Sequence, residues 1–232
     1  MNAETPRGPS EGQPPGQSVG RFLVLEGVDG AGKSSHIPFI EDWFRARRIP
    51  LLLTREPGGS ALAEELRSLV LHQPMDGLTE ALAVFAARRD HLVQTIWPAL
   101  RQGHWVLSDR YLDSSWAYQG GGRGVADGLL AALTQAVEQD GEAPGPRPDL
   151  VFYFDLDPTQ AAARRGGRQA QTGVAPDRFE QEDPDFFSRV RAGYAAAARR
   201  RGERAVWLDA SRPLADLQDQ IAQALEALSA HG

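Results

Sequence analysis

The chain has 232 residues, of which 41% are hydrophobic and 24% charged, a composition close to that of an ordinary globular protein. Its net charge of -6 argues against a nucleic acid as the main partner, and its apolar runs are far shorter than the roughly 20 residues of a membrane helix. The absence of cysteine excludes disulfides, thiolate zinc sites and a cysteine nucleophile. We therefore expect a cytoplasmic protein that binds neither membranes nor nucleic acids.

Residues 1–19 are rich in Pro and Gly without apolar periodicity and are predicted to form a disordered tail. Residues 20–232 are predicted to form a single domain, because single cores extend to roughly 250 residues. Short apolar runs predict five buried strands, at residues 22–25, 51–54, 105–107, 150–154 and 205–208. Longer patterns predict helices at residues 33–48, 61–71, 79–101, 125–139, 159–165, 184–201 and 214–230. This alternation predicts an α/β fold with a doubly wound, five-stranded parallel sheet.

Prolines and glycines indicate local features of this fold. Pro38 and Pro98 lie inside two predicted helices and should kink or break them. Residues 166–176 are polar and contain glycine, which predicts a loop. Asp157 before Pro158 predicts a helix N-cap, and the alternative is that Asp155 and Asp157 form a metal-binding pair.

The strongest motif lies between the first predicted strand and the first predicted helix. Residues 27–34 match the pattern GxxxxGK[ST], whose glycines let successive N–H groups face a polyphosphate at the positive end of a helix. Lys33, the only lysine in the chain, would reach the β and γ phosphates, and the Ser34 hydroxyl would ligate Mg²⁺. ATP is therefore expected to contact Gly27, Val28, Asp29, Gly30, Ala31, Gly32, Lys33, Ser34 and Ser35.

A second polar pair follows the third predicted strand. Asp109 and Arg110 should lie at the carboxyl edge of the sheet, where α/β proteins bind their ligands. Asp109 could hold magnesium or its water, and Arg110 could bind a phosphoryl oxygen through two N–H groups. A surface ion pair at a strand end is the alternative.

Five segments in order resemble the bacterial thymidylate (dTMP) kinases, at residues 26–34, 54–59, 85–89, 109–111 and 114–120. The resemblance extends from residue 21 to about residue 213. It implies a P-loop kinase fold with a mobile lid, Mg²⁺ as cofactor, and transfer of the ATP γ-phosphoryl group to dTMP. It also implies a homodimer joined through helices that flank the monophosphate site.

The resemblance assigns residues to the acceptor nucleotide. Phe85 would stack on thymine and Arg89, one helical turn further on, would hydrogen-bond the base edge, although the residues alone favour a core position for Phe85. Arg67 would bind the monophosphate, and Tyr118 would pack near the sugar and favour a deoxyribose. The whole predicted set is Asp29, Arg55, Glu56, Pro57, Arg67, Phe85, Arg89, Arg110, Ser114, Ser115, Tyr118 and Gln119.

The resemblance also identifies a lid at about residues 164–182. The P-loop has Gly30 and no arginine, so the lid is expected to supply the basic residue that neutralises the transferring phosphoryl group. The lid contains Arg164, Arg165, Arg168 and Arg178. The predicted catalytic set is Lys33, Asp109, Arg110, Arg164 and Arg168.

Two other functions fit parts of this pattern. Another nucleoside monophosphate kinase, acting on dUMP, AMP or GMP, would share the architecture and differ in its base contacts. A nucleotide-binding switch without turnover would be expected to lack some of the catalytic residues. This chain retains all four of the expected ones, Lys33, Ser34, Asp109 and Arg110.

Overall fold

The structure, a computed structural model, describes residues 20–139, 145–173 and 175–230, without the side chains of residues 168, 171 and 172. The tail predicted over residues 1–19 lies outside the described residues. A search of the described helices finds none with the length and apolar character needed to span a bilayer.

A parallel sheet of five strands forms the centre of the molecule, in the order β2-β3-β1-β4-β5. The strands are β1 Phe22–Glu26, β2 Leu51–Arg55, β3 Trp105–Asp109, β4 Leu150–Asp155 and β5 Ala205–Asp209. The predicted fold class and the five predicted strands are confirmed, and each strand runs one or two residues further than its apolar run. β1 is buried along its whole length, as expected of a central parallel strand.

Helices connect the strands and cover the sheet. The described residues contain α1 Lys33–Arg47, α2 Ala61–His72, α3 Gly77–His91, α4 Trp97–Arg101, α5 Leu112–Ser115, α6 Asp127–Val137, α7 Pro158–Thr172, α8 Pro184–Arg201 and α9 Leu214–Ala230. Two π-helical stretches, Leu92–Ile96 and Trp116–Gly122, follow α3 and α5, and a 3-10 turn, Gly202–Arg204, follows α8.

The N-cap predicted at Asp157 is confirmed. Its side chain accepts a hydrogen bond from the Thr159 N–H at 2.9 Å, and Pro158 opens α7. Asp155 accepts two hydrogen bonds from Arg191, at 2.6 and 2.7 Å. Arg191 therefore neutralises the Asp155 carboxylate at the end of β4.

Two local predictions need correction. The loop predicted over residues 166–176 is wrong for its first part, because α7 continues to Thr172 and ends where Gly173 adopts a φ of 67°. The break predicted at Pro38 is also wrong, because α1 runs through this residue without interruption. The break predicted at Pro98 is confirmed, since a π-helical turn interrupts the helix predicted over residues 79–101 just before this proline, whose ring nitrogen cannot donate to the preceding turn.

The core lies on both faces of the sheet and fixes the rim where the strands end. Phe44 of α1, Phe186 of α8 and Ile221 of α9 are almost fully buried against the strands. Because all five strands are parallel, their carboxyl ends meet at one edge. Glu26 and Asp109 lie at this edge, beside the loop that leads into α1.

Candidate active site

The loop between β1 and α1 is a compact turn that needs glycine. Gly27, Gly30 and Gly32 have φ angles of 138°, 88° and 94°, which side-chain-bearing residues rarely adopt. A Cβ atom on Gly30 would lie 2.5 Å from the Ala161 carbonyl oxygen, so glycine lets α7 pack directly on the loop. Gly32 precedes the first turn of α1, and the positive end of this helix therefore faces the space above the loop.

Lys33 lies at the base of this loop with its ammonium group turned inward. Its Nζ atom donates to the carbonyl oxygens of Gly27 at 2.9 Å and Val28 at 3.4 Å, and the side chain is 7% exposed. Burial and the neighbouring charge of Arg110 lower the pKa of Lys33. A buried ammonium group near a second cation is stabilised when an anion enters, which is what a phosphate-binding site requires.

Asp109 brings a carboxylate to the same place. Its Oδ1 atom is buried 4.0 Å from Lys33 Nζ and has no hydrogen-bond partner among the described residues. Ser34 is exposed at the first turn of α1 and lines the same cleft as Asp109. A carboxylate oxygen and a hydroxyl group are hard oxygen ligands that suit Mg²⁺.

The first cleft, the donor cleft, is the space above this loop and has a volume of about 560 Å³. Six of the nine predicted ATP-binding residues line it, namely Asp29, Gly30, Gly32, Lys33, Ser34 and Ser35. The other three, Gly27, Val28 and Ala31, are buried in the turn beneath. Arg67, Arg164 and Arg165 add three guanidinium groups to the lining. Four acidic side chains, Asp29, Asp109, Asp177 and Glu180, line the donor cleft beside its four cationic ones. A polyphosphate would therefore be held by the placement of the cations and of the P-loop N–H groups, and not by an excess of positive charge.

The two described arginines at the middle of α7 have different contacts. Arg165 is buried, donates to the Asp29 carbonyl oxygen at 2.8 Å and stacks over Phe187 at 4.3 Å, so it holds the P-loop in place. Arg164 is exposed and donates to the Ala210 carbonyl oxygen at 3.0 Å. The predicted side-chain role of Arg168 lies outside the described part of the chain.

A second cleft, the acceptor pocket, continues from the donor cleft. The two clefts share Asp29, Arg67 and Asp177 in their walls. Val70, Leu71 and Val84 form an apolar side of the acceptor pocket, and Tyr111, Tyr118 and Phe179 add aromatic rings. Two ligands can therefore lie end to end, with their charged ends at the shared wall.

Arg110 is held at the acceptor side of this wall. Its guanidinium group donates to Asp29 Oδ1 at 2.8 Å, the Tyr194 hydroxyl at 2.6 Å, Ser114 Oγ at 3.2 Å and the Tyr118 hydroxyl at 3.3 Å. Burial alone would raise the pKa of Asp29, but Arg110 and Lys33 outweigh it and hold this pKa well below its usual range. The carboxylate in turn orients the guanidinium group.

Arg67 adds a second guanidinium group to the shared wall. It donates to the Pro57 carbonyl oxygen at 2.8 Å, and burial together with Arg55 and Arg110 lowers its pKa. Arg55, which was also predicted to bind the acceptor, forms two hydrogen bonds with Glu64 at 2.9 and 3.2 Å instead. Its side chain is 56% exposed and lies outside the lining of both clefts, so this prediction is corrected.

The assignment of Phe85 and Arg89 to the acceptor pocket is wrong by one residue. Phe85 is buried in a separate cluster behind α3, and Arg89 donates to the carbonyl oxygens of Val137 and Gln139. Val84 and Arg88 line the pocket in their place. One residue turns a side chain about 100° around a helix, which is enough to move it from one face to the next.

Arg88 is a buried arginine with one free donor. Its Nε atom donates to Glu56 Oε2 at 2.7 Å and its Nη2 atom to the Tyr111 carbonyl oxygen at 3.1 Å. The Nη1 atom finds no partner among the described residues. Glu56 also accepts from His91 at 3.1 Å, and although burial opposes ionisation, Arg88 and His91 lower the pKa of Glu56. A buried, unpaired N–H group in a pocket wall is available to a ligand.

The remaining predicted acceptor residues line the same pocket with different roles. The Ser115 hydroxyl is buried without a partner among the described residues, whereas the Ser114 hydroxyl is bonded to Glu26 at 2.6 Å and to Tyr194 at 2.8 Å. Pro57, Tyr118 and Gln119 also line the pocket. Ser115 is thus free for a ligand, and Ser114 connects Arg110 to Glu26.

Sequence reasoning missed several residues of the site. Tyr194 and Phe179 come from segments more than 60 positions beyond Tyr118 in the chain. No motif marks Tyr194, and Phe179 lies inside the predicted lid without an expected contact to the acceptor. Arg88 did carry a signal, because it continues the buried face of α3 that includes Val84 and His91. Phe85, one turn before Arg89, is buried as well, so this periodicity alone does not distinguish Arg88 from Arg89.

Comparisons with known proteins agree on one family. A family model described as thymidylate kinase matches residues 25–221. The thymidylate kinase of Chromobacterium violaceum is 48% identical over 217 residues, covering 92% of this chain and 97% of that protein. The thymidylate kinase of Thiobacillus denitrificans is 46% identical over 210 residues, covering 90% and 98%. A crystal structure of thymidylate kinase from Ehrlichia chaffeensis, 29% identical, aligns with a TM-score of 0.68 over 89% of this chain and 98% of that one.

Proposed function

The chain belongs to the thymidylate kinase family, and we propose that its two clefts bind ATP and dTMP and transfer the ATP γ-phosphoryl group to dTMP. The products are dTDP and ADP. The observation that carries this proposal is the wall of Asp29, Arg67 and Asp177 that the two clefts share. Two nucleotides bound on either side of this wall meet at their phosphates.

The donor cleft suits the ATP phosphates. The N–H groups of the P-loop and the start of α1 provide the cradle, and Lys33 provides the ammonium group that reaches the β and γ phosphates. When bound, Mg²⁺ would neutralise charge between the β and γ phosphates, and we propose Ser34 and Asp109 as its protein contacts. Mg²⁺ usually takes one or two protein ligands together with substrate phosphates and water, which a site with these two residues suits.

The acceptor oxygen needs no strong general base. A phosphate monoester has its second pKa near 6, so the attacking oxygen of dTMP is already anionic at neutral pH. The protein has to align two anions and neutralise the charge between them. We propose that Arg67 holds the dTMP phosphate, that Arg110 bridges it to the transferring group, and that Arg164 approaches from α7.

Lid closure would exclude water, which otherwise competes as acceptor. We propose residues 164–182 as the lid and residues 20–232 as one P-loop kinase domain. Arg165 and Asp177 tie this segment to both clefts in the described structure.

The acceptor pocket selects the nucleoside. The Tyr118 ring and its hydroxyl, 3.3 Å from Asp29 Oδ2, occupy the side of the pocket next to Arg110, which leaves little room for a ribose 2′-hydroxyl. We propose that Arg88 Nη1 and the Ser115 hydroxyl contact the base, because both are buried and unpaired within the described chain.

We also propose that the chain acts as a homodimer in the cytoplasm, where ATP and dTMP are available. Four leucines of α2 and α3 are about half exposed, namely Leu62, Leu69, Leu78 and Leu82. These helices also carry Arg67 and Val84 of the acceptor pocket, so a second copy would cover apolar surface beside the site. Light scattering should give the mass of two chains, and a monomer at micromolar concentration would contradict this proposal.

A coupled assay of ADP release tests the function. We expect turnover with ATP and dTMP, much slower turnover with AMP or GMP, and little ADP release without an acceptor. The Lys33→Ala variant serves as the inactive control. Faster turnover with AMP or GMP than with dTMP would contradict the proposal, as would ATP binding without any transfer.

A further inference from the structure

Glu80 of α3 is a fully buried carboxylate just behind the acceptor pocket, outside the residues assigned above. Its Oε1 atom accepts from the Gln119 side-chain nitrogen at 2.8 Å. Its Oε2 atom accepts from Arg123 Nε at 2.9 Å and Arg178 Nη2 at 2.7 Å. Glu80 is 0% exposed. All its contacts therefore come from the protein.

This arrangement determines which end of the Gln119 amide faces the ligand. A carboxylate oxygen offers only acceptor positions, so Gln119 has to turn its NH₂ group toward Glu80. Gln119 is 3% exposed and lines the acceptor pocket. Its carbonyl oxygen is then the amide atom left for the pocket.

The buried polar groups of the pocket differ in what they can bind. The Gln119 oxygen can only accept, the unpaired Nη1 group of Arg88 can only donate, and the unpaired Ser115 hydroxyl can do either, so Gln119 and Arg88 carry the selectivity. A pyrimidine edge with a carbonyl oxygen beside a ring N–H, as in thymine and uracil, pairs with both. Cytosine presents an amino group and a bare ring nitrogen at the same positions, and so mismatches both.

We propose that Glu80 is a positioning residue that selects keto pyrimidines by fixing the orientation of the Gln119 amide. This inference rests on the proposed dTMP kinase function. Glu80 touches no substrate, and its effect is transmitted through Gln119.

The Glu80→Gln variant tests this proposal most directly, because the neighbouring arginines determine the orientation of the new amide group. Arg123 and Arg178 have only donors, so the new amide has to turn its oxygen toward them and its NH₂ group toward Gln119. Gln119 must then rotate, which places its own NH₂ group in the pocket. The acceptor needed by the thymine N–H becomes a donor, and cytosine gains a partner for its ring nitrogen.

Glu182→Gln is the matched control. Glu182 accepts from Arg123 Nη1 at 2.5 Å, so the control removes a charge from the same arginine without a change at Gln119. The readouts are kcat/KM with dTMP and with dCMP, the KM for ATP, and the melting temperature. We expect the dTMP to dCMP selectivity ratio to fall by about tenfold or more in Glu80→Gln, the cost of a mismatched buried hydrogen bond, and to stay unchanged in Glu182→Gln.

A folded Glu80→Gln protein with the unaltered selectivity ratio would overturn the inference and leave the proposed function standing. If the protein without substitutions does not phosphorylate dTMP, both the inference and the proposed function are overturned. An equal fall of the selectivity ratio in Glu182→Gln would overturn the inference, because the loss of charge next to Arg123 would then explain the effect.

A second measurement needs no variant and applies if Glu80→Gln does not fold. In 5-fluoro-dUMP the ring N–H loses its proton at lower pH than in dTMP, and the resulting anion would face the Gln119 oxygen. We expect kcat/KM for 5-fluoro-dUMP to fall as pH rises through that ionisation, while the value for dTMP stays level. Both substrates meet the same charged groups, so dTMP is the control for titration of the protein. These groups are Asp29, Glu56, Arg67, Arg88, Arg110 and Asp177 in the lining, and Glu80, Arg123 and Arg178 behind Gln119. If kcat/KM depends on pH in the same way for both substrates, the inference is overturned.

Discussion

Replacement of Arg110 by glycine should abolish turnover without unfolding the protein. Arg110 adopts a φ of 74°, a conformation that strains a residue with a side chain and suits glycine. The substitution therefore relieves backbone strain of about 1 to 3 kcal/mol while it removes the guanidinium group.

The contacts that remain also favour a folded variant. Asp29 keeps a hydrated carboxylate, since 36% of its side chain is exposed, and Tyr118 remains 3.3 Å from Asp29 Oδ2. Tyr194 keeps its bond to Ser114 at 2.8 Å, and Ser114 keeps its bond to Glu26. We therefore expect the free energy of unfolding to change by no more than about 2 kcal/mol.

Turnover is expected to respond very differently. An arginine that neutralises a transferring phosphoryl group contributes about 10³ to 10⁵ in rate, so kcat in the coupled assay should fall by that factor. Arg191→Ala is the matched control, because Arg191 also forms two hydrogen bonds with an aspartate at a strand end, at 2.6 and 2.7 Å, away from both clefts. Near-normal kcat in folded Arg110→Gly, or an equal loss in Arg191→Ala, would refute the reasoning.

Three further predictions concern other parts of the site. Burial and the nearby Asp113 raise the pKa of Glu26 from 4.5 to about 7, so the native state holds a proton that the unfolded state releases. The free energy of unfolding should therefore fall by up to about 3 kcal/mol as pH rises from 5 to 8, as measured by urea titration at each pH. The Glu26→Gln variant should show a smaller fall. If the free energy of unfolding falls equally in both proteins, the raised pKa of Glu26 is contradicted. Arg89→Ala should change the KM for dTMP by no more than about threefold. Arg88→Lys should raise this KM about tenfold or more, because one ammonium group cannot bind both Glu56 and the base. A larger rise in Arg89→Ala than in Arg88→Lys would support the sequence-based prediction that Arg89 contacts the base. Removal of divalent cations by EDTA should stop turnover, and added Mg²⁺ should restore it; full activity in EDTA would exclude the proposed role of Ser34 and Asp109.

The strand runs and the P-loop could be predicted because their signals are local. Residues 27–34 carry their glycines, their lysine and their flanking strand and helix within one short segment. The five apolar runs were short, and each was bounded by turn residues or charges, so the parallel sheet followed from the alternation of these runs with longer helical patterns. The Asp157 cap was predictable for the same reason, since its partner Thr159 lies two residues away.

The lining of the acceptor pocket depended on helix rotation and was only partly predictable. Adjacent arginines at positions 88 and 89 look alike in the sequence. Only the contacts of Arg88 with Tyr111 and of Arg89 with the end of α6 show which one points into the pocket. The exposed ion pair of Arg55 was likewise indistinguishable from a phosphate contact until Glu64 was placed beside it.

The sequence by itself determined the order of strands and helices and the phosphate cradle, because hydrophobic periodicity and glycine geometry act between near neighbours. Tertiary structure alone decided the hydrogen-bond partners around Glu80 and Arg110. Gln119, Arg123 and Arg178 reach Glu80 from 39, 43 and 98 positions away, and Tyr194 reaches Arg110 from 84 positions away. Such contacts exist only after the chain has folded, since the buried polar groups choose partners from whatever the packed helices bring within hydrogen-bond distance.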